Sequence, residues 1–138
     1  NEGIKNLVNL TSLDLLGNKG ISDGGIVDLT NLTALSLQNN PLIYNITHLT
    51  KLMSLNLGNN YYISDISTLS NLTDLRLFGN YTIKDISNLI NLRSLDLRRN
   101  YSIADVSTLT NLTEIDICPS KSKRIPKSVK ITSFTFQD

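Results

Sequence analysis

The sequence predicts a solenoid of short parallel β-strands, and three observations support this prediction. The chain has 24 Leu and 17 Asn among 138 residues. The phrase Asn-Leu-Thr and the positions after it recur about every 20 residues, a period typical of solenoids built from repeated supersecondary units. Ala occurs only at Ala34 and Ala104, whereas a helical bundle uses Ala freely. We therefore expect stacked turns with little helix.

Each predicted turn begins with one strand. The first column of matching residues starts at Leu10 and recurs after 22 residues and then every 20. Its members are Leu10, Leu32, Leu52, Leu72, Leu92 and Leu112. Apolar residues follow three and five positions later, so the x-Leu-x-Leu-x segment has the two-residue period of a β-strand. Its leucines face inward, and stacking of the units places the strands side by side on a concave face.

The other columns describe the return path on the convex face. An Asn column follows each strand: Asn18, Asn40, Asn60, Asn80 and Asn100. An Asn amide can satisfy backbone groups in a buried turn, so this column predicts an internal ladder. About 20 residues are too few for a strand, two turns and a full helix, so the return path is expected to be extended or 3₁₀. The first unit is longer because of Gly24 and Gly25, which we place in a loop.

Four aspartates begin return paths and are expected to cap short turns. They are Asp23, Asp65, Asp85 and Asp105. Toward the C-terminus the pattern decays, and Ser120 takes the ladder position. Residues 119–138 are predicted to form a degenerate closing element whose last strand is Ser133–Phe136, with Phe134 and Phe136 inward. Residues 1–138 are thus expected to be one domain of six to seven repeats, cut from a longer chain at its N-terminus.

The repeat unit, L-x2-L-x-L-x2-N-x2-I-x-D-I-x2-L-x2, resembles the leucine-rich repeat. Its phrases Asn-Leu-Thr and Ile-Ser-Asp-Ile-Ser look most like those of the internalins. A phosphatase-regulating leucine-rich-repeat protein of the cytosol shares much of this consensus. Both kinds of relative mostly use longer units, and the Pro of the internalin phrase is missing here. The first resemblance implies a non-catalytic protein-recognition module of a surface or secreted, adhesion-type protein, and the second implies a cytoplasmic adaptor.

Composition argues against several other classes of function. The net charge of +1 and pI of about 8.0 give no field that attracts nucleic acid, and no apolar run is long enough to span a membrane. Cys118 is the only cysteine and His48 the only histidine, and we expect His48 to lie exposed on a return path. The chain therefore offers no Ser-His-Asp or Cys-His constellation. We expect no enzyme, no metal site and no cofactor.

One pair of carboxylates could still carry chemistry. Asp96 and Asp116 occupy the same outward column on adjacent predicted strands, so they should lie ~5 Å apart. Carboxylates this close can share a proton or bind a cation. The interpretation that we favour is that Arg76 and Arg98 neutralise them.

The predicted contact surface lies where the outward strand columns stop being small and polar. Phe78 is an aromatic residue with an outward position, and arginines surround it in the neighbouring columns. Aromatic and Arg side chains are the types enriched at interface hot spots. The proposed surface comprises Arg76, Phe78, Tyr81, Arg98, Arg99 and Tyr101, with Asp96 as a polar orienter.

Tyrosines line one rim of this surface. The column after the ladder Asn contains Tyr61, Tyr81 and Tyr101 in consecutive units. Such rings either cover loop edges and stiffen the solenoid or contact a partner, and the two roles are compatible. The expected partner is a protein of unknown identity, bound by a monomer.

Overall fold

The structure, a computed structural model, describes residues 3–118 and 123–133. Seven strands form one parallel sheet in chain order. They are β1 (Ser12–Asp14), β2 (Ala34–Ser36), β3 (Ser54–Asn56), β4 (Asp74–Arg76), β5 (Ser94–Asp96), β6 (Glu114–Ile117) and β7 (Lys130–Ser133). The chain winds through about six turns of about 20 residues each. The predicted solenoid is confirmed.

Strand register follows the repeat columns from β1 to β6. Each strand pairs with the next so that equivalent positions lie side by side. The inward row formed in this way contains Leu13, Leu35, Leu55, Leu75, Leu95 and Ile115. The outward residues form parallel rows as well, so residues of one repeat column are neighbours on adjacent strands.

The last strand differs from its prediction. β7 starts at Lys130, three residues before the predicted Ser133. Val129, just before β7, is buried, whereas Ile131 lies beside Ile115 in the register and is 52% exposed. The predicted inward residues Phe134 and Phe136 lie outside the described residues, as does Ser120.

The return paths are extended segments joined by tight turns. In the second full unit the amides of Leu49 and Leu52 each bond the carbonyl three residues earlier, at 3.0 and 3.1 Å. Within the described residues the only helix is α1 (Asp23–Ile26). It contains Gly24 and Gly25, so placing them in a loop was wrong. The two extra residues close one helical turn, which buries Gly25 and Ile26.

A regular apolar core fills the space between the sheet and the return paths. In the unit that begins at β4, the inward side chains are at most 1% exposed. They are Leu75, Leu77, Ile83, Ile86 and Leu89. At the N-terminal end of the solenoid, Leu7, Val8 and Leu16 remain about half exposed.

The asparagine ladder is present where the sequence predicts it. The amide nitrogen of Asn80 donates to the carbonyls of Leu57 and Asn60, at 3.3 and 2.5 Å. Its amide oxygen accepts from the backbone of Thr82 and Ile83. The same arrangement recurs at Asn60 and Asn100. The side chains of Asn40, Asn60, Asn80 and Asn100 are at most 1% exposed, whereas Asn18 at the end of the column is half-buried.

A lysine continues this ladder at its C-terminal end. The Lys123 ammonium donates to the carbonyls of Asn100 and Ile103. The Asn100 carbonyl is the ladder position that the next Asn would bond. A cation thus replaces the amide after the repeat pattern decays.

The aspartates of the return paths act in two ways. Asp65, Asp85 and Asp105 each accept from the amide two residues later, at 2.8–2.9 Å, and so cap their own turns. The backbone and then the side chain of the bonded serine lower the pKa of Asp65 and Asp85, whereas at Asp105 the side-chain bond from Ser107 is the larger cause. Asp23 instead accepts from Tyr44 and Asn45 of the following turn. The cap interpretation therefore applies to three of the four.

Candidate functional site

The exposed side of the sheet, here called the strand face, changes character along the solenoid. Over β1 to β3 its outward side chains are small, and they leave a hollow of about 310 Å³. The hollow is lined by residues that include Ser12, Ser36, Ser54 and Asn56, and Arg76 borders it. From β4 onward the outward side chains are larger and mostly charged.

Phe78 lies two residues beyond β4 and is flanked by two guanidinium groups. The Cζ atoms of Arg98 and Arg99 lie 5.6 and 5.8 Å from the centroid of its ring. The ring is half-buried, while the Arg99 side chain is exposed. At these distances both cations are attracted to the ring face. Arg98 and Arg99 therefore lie beside Phe78, and the role of this cluster in binding stays a prediction.

Arg98 also holds Asp96 in a bidentate ion pair. Its Nε donates to Oδ1 at 2.9 Å and its Nη2 to Oδ2 at 2.6 Å, while the Arg98 backbone amide donates to Oδ1 at 3.0 Å. The Asp96 side chain is 8% exposed and that of Arg98 is 32% exposed. Hydrogen bonding to Asp96 raises the pKa of Arg98 further. Arg98 is therefore a support for a buried carboxylate as well as a surface cation.

The two candidate carboxylates do lie side by side. The strand register places Asp96 between Arg76 on β4 and Asp116 on β6. Burial, followed by the charge of Asp96, raises the pKa of Asp116. Arg98 pairs with Asp96 and its charge opposes the rise in the pKa of Asp116, which confirms the part of the favoured interpretation that concerns Arg98. For Arg76 the register shows a position beside Asp96, and its role stays a prediction. Among the described residues, no group of three His, Cys, Asp or Glu side chains is arranged to hold a metal ion.

The tyrosines form a continuous edge beside this cluster. The rings of Tyr61 and Tyr81 stack with centroids 6.0 Å apart and planes 5° apart, and Tyr81 and Tyr101 stack at 6.4 Å and 12°. A second pair, Tyr44 and Tyr62, meets edge to face at 5.5 Å. All five remain 44–55% exposed. The rings stiffen the loop edge and also present their outer edges to solvent.

Sequence reasoning missed part of this arrangement. It did not find Tyr44 and Tyr62, although two neighbouring units with a tyrosine at the loop edge were a visible signal. It also placed His48 in solvent, whereas this side chain is half-buried and its Nε2 atom has no hydrogen-bond partner among the described residues. No helix in the described part of the chain is long and apolar enough to cross a membrane.

Comparison with solved structures finds internalins among the proteins of similar fold. An internalin, InlF, of Listeria monocytogenes shares 35% identity over 86% of this chain, with a TM-score of 0.66. Internalin C2 of the same organism shares 27% identity over 94%, with a TM-score of 0.64. The functional domain of InlJ, which includes a cysteine ladder, has the same fold, with 24% identity over 95% and a TM-score of 0.59.

These neighbours are longer than this chain, which covers 38%, 57% and 37% of their lengths. No protein-family model and no curated protein matches it. The fold and the ladder define the chain as a leucine-rich-repeat solenoid. Within that class its turns are internalin-like.

Proposed function

We propose that the chain is a non-catalytic protein-recognition module, and that its partner docks on the strand face around Phe78. The observation that carries the proposal is a half-buried aromatic ring flanked by two arginines, next to the part of the face whose side chains are small. Such residues dominate the energy of protein interfaces. The internalin-like neighbours support a protein-interaction role in general.

The proposed surface extends from Phe78 to Arg76 on one side and to the tyrosine edge on the other. Arg76 lies on β4 and borders the hollow, so it can meet a partner that enters from either direction. Tyr81 and Tyr101 supply broad, rigid contact area that loses little side-chain entropy on binding. Asp96 is fixed by Arg98 and orients that guanidinium across the face. The module acts as a monomer within a surface or secreted adhesion-type protein.

The experiment is affinity capture followed by titration. The chain is used to capture proteins from surface and cytosolic fractions of candidate cells, and each captured protein is then titrated by calorimetry. Phe78→Ala combined with Arg76→Ala should weaken binding by at least about thirtyfold, because both truncations remove proposed hot-spot side chains. Arg98 is left intact because its removal would also break the ion pair with Asp96 and so destabilise the fold.

The matched control is a double variant on the small-residue half, Ser12→Ala with Ser36→Ala. It should change the affinity by less than about threefold, since neither serine offers comparable contact area. If the serine variant weakens binding more than the Phe78 variant, the partner enters the hollow and the proposed site is wrong. If neither variant matters, the strand face does not bind the partner.

A further inference from the structure

One turn position requires a left-handed backbone in every unit from β1 to β5. The residue just before each ladder Asn has φ between 51° and 60°. These residues are Gly17, Asn39, Asn59, Gly79 and Arg99. Gly adopts this conformation without strain and Asn tolerates it, whereas a long side chain does not favour it. Arg99 is the exception in its column.

The backbone at this position is fixed by the fold rather than by the side chain. The amide of Asn59 donates to the Phe78 carbonyl at 2.8 Å, and that of Gly79 donates to the Arg98 carbonyl at 2.9 Å. The left-handed residue thus continues the bonding between turns just before the ladder Asn enters the interior. Any residue placed here must accept the same φ, so Arg99 carries strain that Asn or Gly would relieve.

The side chain of Arg99 indicates what this strain serves. It is exposed on the strand face, and its guanidinium lies 5.8 Å from the centre of the Phe78 ring. Strained residues that a fold retains are concentrated at binding and catalytic sites. A guanidinium held against an aromatic ring presents N–H donors in a geometry that matches a carboxylate.

We infer that Arg99 is a contact residue for an acidic protein segment, whose carboxylate pairs with this guanidinium while a neighbouring apolar side chain packs on Phe78. The inference rests on the proposed function and names the chemistry of its partner. Asp116 and Glu114 lie on the adjacent strand of the same face. These acids repel a densely charged polyanion, so a protein segment with isolated carboxylates fits the face better than a sulfated polysaccharide.

The first test requires no partner and measures thermal unfolding. Arg99→Asn gives the turn the residue type found at positions 39 and 59, so its Tm should rise by about 2–5 °C. The reciprocal variant Asn39→Arg puts the strain into another turn and should lower the Tm by a similar amount. A Tm for Arg99→Asn at or below that of the unmodified chain shows that Arg99 supports the fold, and it overturns the inference.

The second test measures the chemistry of recognition with a random peptide library displayed on phage. Unmodified chain should select peptides in which Asp or Glu neighbours an apolar residue. Arg99→Asn should bind these peptides at least about tenfold more weakly. Arg93→Asn is the matched control, because it removes the same charge from an exposed arginine before β5, and it should bind them as the unmodified chain does.

In the second test, three results overturn the inference. They are the absence of acidic enrichment from the unmodified chain, equal binding of the acidic peptides by Arg99→Asn, and binding that depends on Arg99 only for a heparin-derived oligosaccharide. The proposed function is judged separately, by the titration that compares the Phe78 and Arg76 variant with the Ser12 and Ser36 variant.

Discussion

At the scale of single residues, Gly79 combines two constraints that can be separated experimentally. Its φ is 59°, and a Cβ built on it would lie 2.3 Å from Oδ1 of Asn59. Gly17 has the same φ, 60°, but its Cβ would meet nothing within 4 Å. Gly79→Ala should therefore cost about 1–2 kcal/mol of unfolding free energy, because the Asn59 side chain must turn away, and Gly17→Ala about 1 kcal/mol. Equal losses in denaturant titrations would show that the contact with Asn59 is not tight.

Arg98 offers a second prediction at this scale, because it both faces solvent and pairs with a buried acid. Arg98→Met leaves the Asp96 carboxylate buried without its bidentate partner, so unfolding free energy should fall by about 1–3 kcal/mol. Adding Asp96→Asn removes the uncompensated charge and should recover part of the loss. Urea titration of the two single variants and the double variant gives the coupling. Additive losses would contradict the pairing.

At the scale of the turn, a buried Asn of the ladder should contribute more to the free energy of unfolding than an exposed Asn that bonds a neighbouring turn. Asn80 satisfies four backbone groups in the interior, and Asn71 donates to the Thr50 carbonyl at 2.9 Å on the surface. Asn80→Ala should cost about 2–4 kcal/mol, whereas Asn71→Ala should cost less than about 1 kcal/mol because water replaces its bond. Similar losses of unfolding free energy for the two variants would contradict the claim that the buried Asn ladder stabilises the fold more than the exposed Asn does.

The caps of the return paths predict a pH dependence. The pKa values of Asp65, Asp85 and Asp105 are lowered from 3.8 in the folded chain, so their stabilisation is complete above the unfolded pKa and is lost as pH falls through the folded pKa. Replacing all three by Asn keeps the cap, as Asn45 does for Thr47. This variant should lose less Tm than the unmodified chain between about pH 5 and pH 2.

Asp116 provides a control, because its pKa shift is opposite in direction to those of the three cap aspartates. Its pKa is raised, so the folded chain holds this proton more tightly than the unfolded chain, and ionisation at higher pH costs stability. Asp116→Asn should therefore raise the Tm at neutral pH, with the gain vanishing as pH falls below the unfolded pKa. If the Tm of the triple Asn variant falls between about pH 5 and pH 2 as much as that of the unmodified chain, the proposed role of the three aspartate caps is contradicted.

At the scale of the whole molecule, the fold was predictable because the same local solution is repeated. A strict period with inward Leu and Ile, followed by Asn, leaves one way to stack the turns, and the register of β1 to β6 follows it. The irregular parts were not predictable in this way. α1 depends on two extra residues, and β7 and the contact of Lys123 with the ladder lie where the period is lost.

Part of the geometry of the candidate site was predictable as well. Alignment of the repeats places Arg98 and Arg99 beside Phe78, because neighbouring strands are in register. It cannot decide which arginine pairs with Asp96, since that depends on side-chain conformation. The left-handed column was visible as a recurrent Gly or Asn, and its significance at Arg99 became clear only from the backbone angle.

The central claim, that recognition occurs on the strand face while the return paths only support it, is tested most directly by hydrogen–deuterium exchange. The exchange of backbone amides is compared between the free chain and its complex with the captured partner. We predict slower exchange in the complex for segments 76–82 and 96–102, which carry Phe78, Arg99 and the tyrosine edge. Slower exchange confined to the return paths 64–70 and 84–90 would contradict the claim.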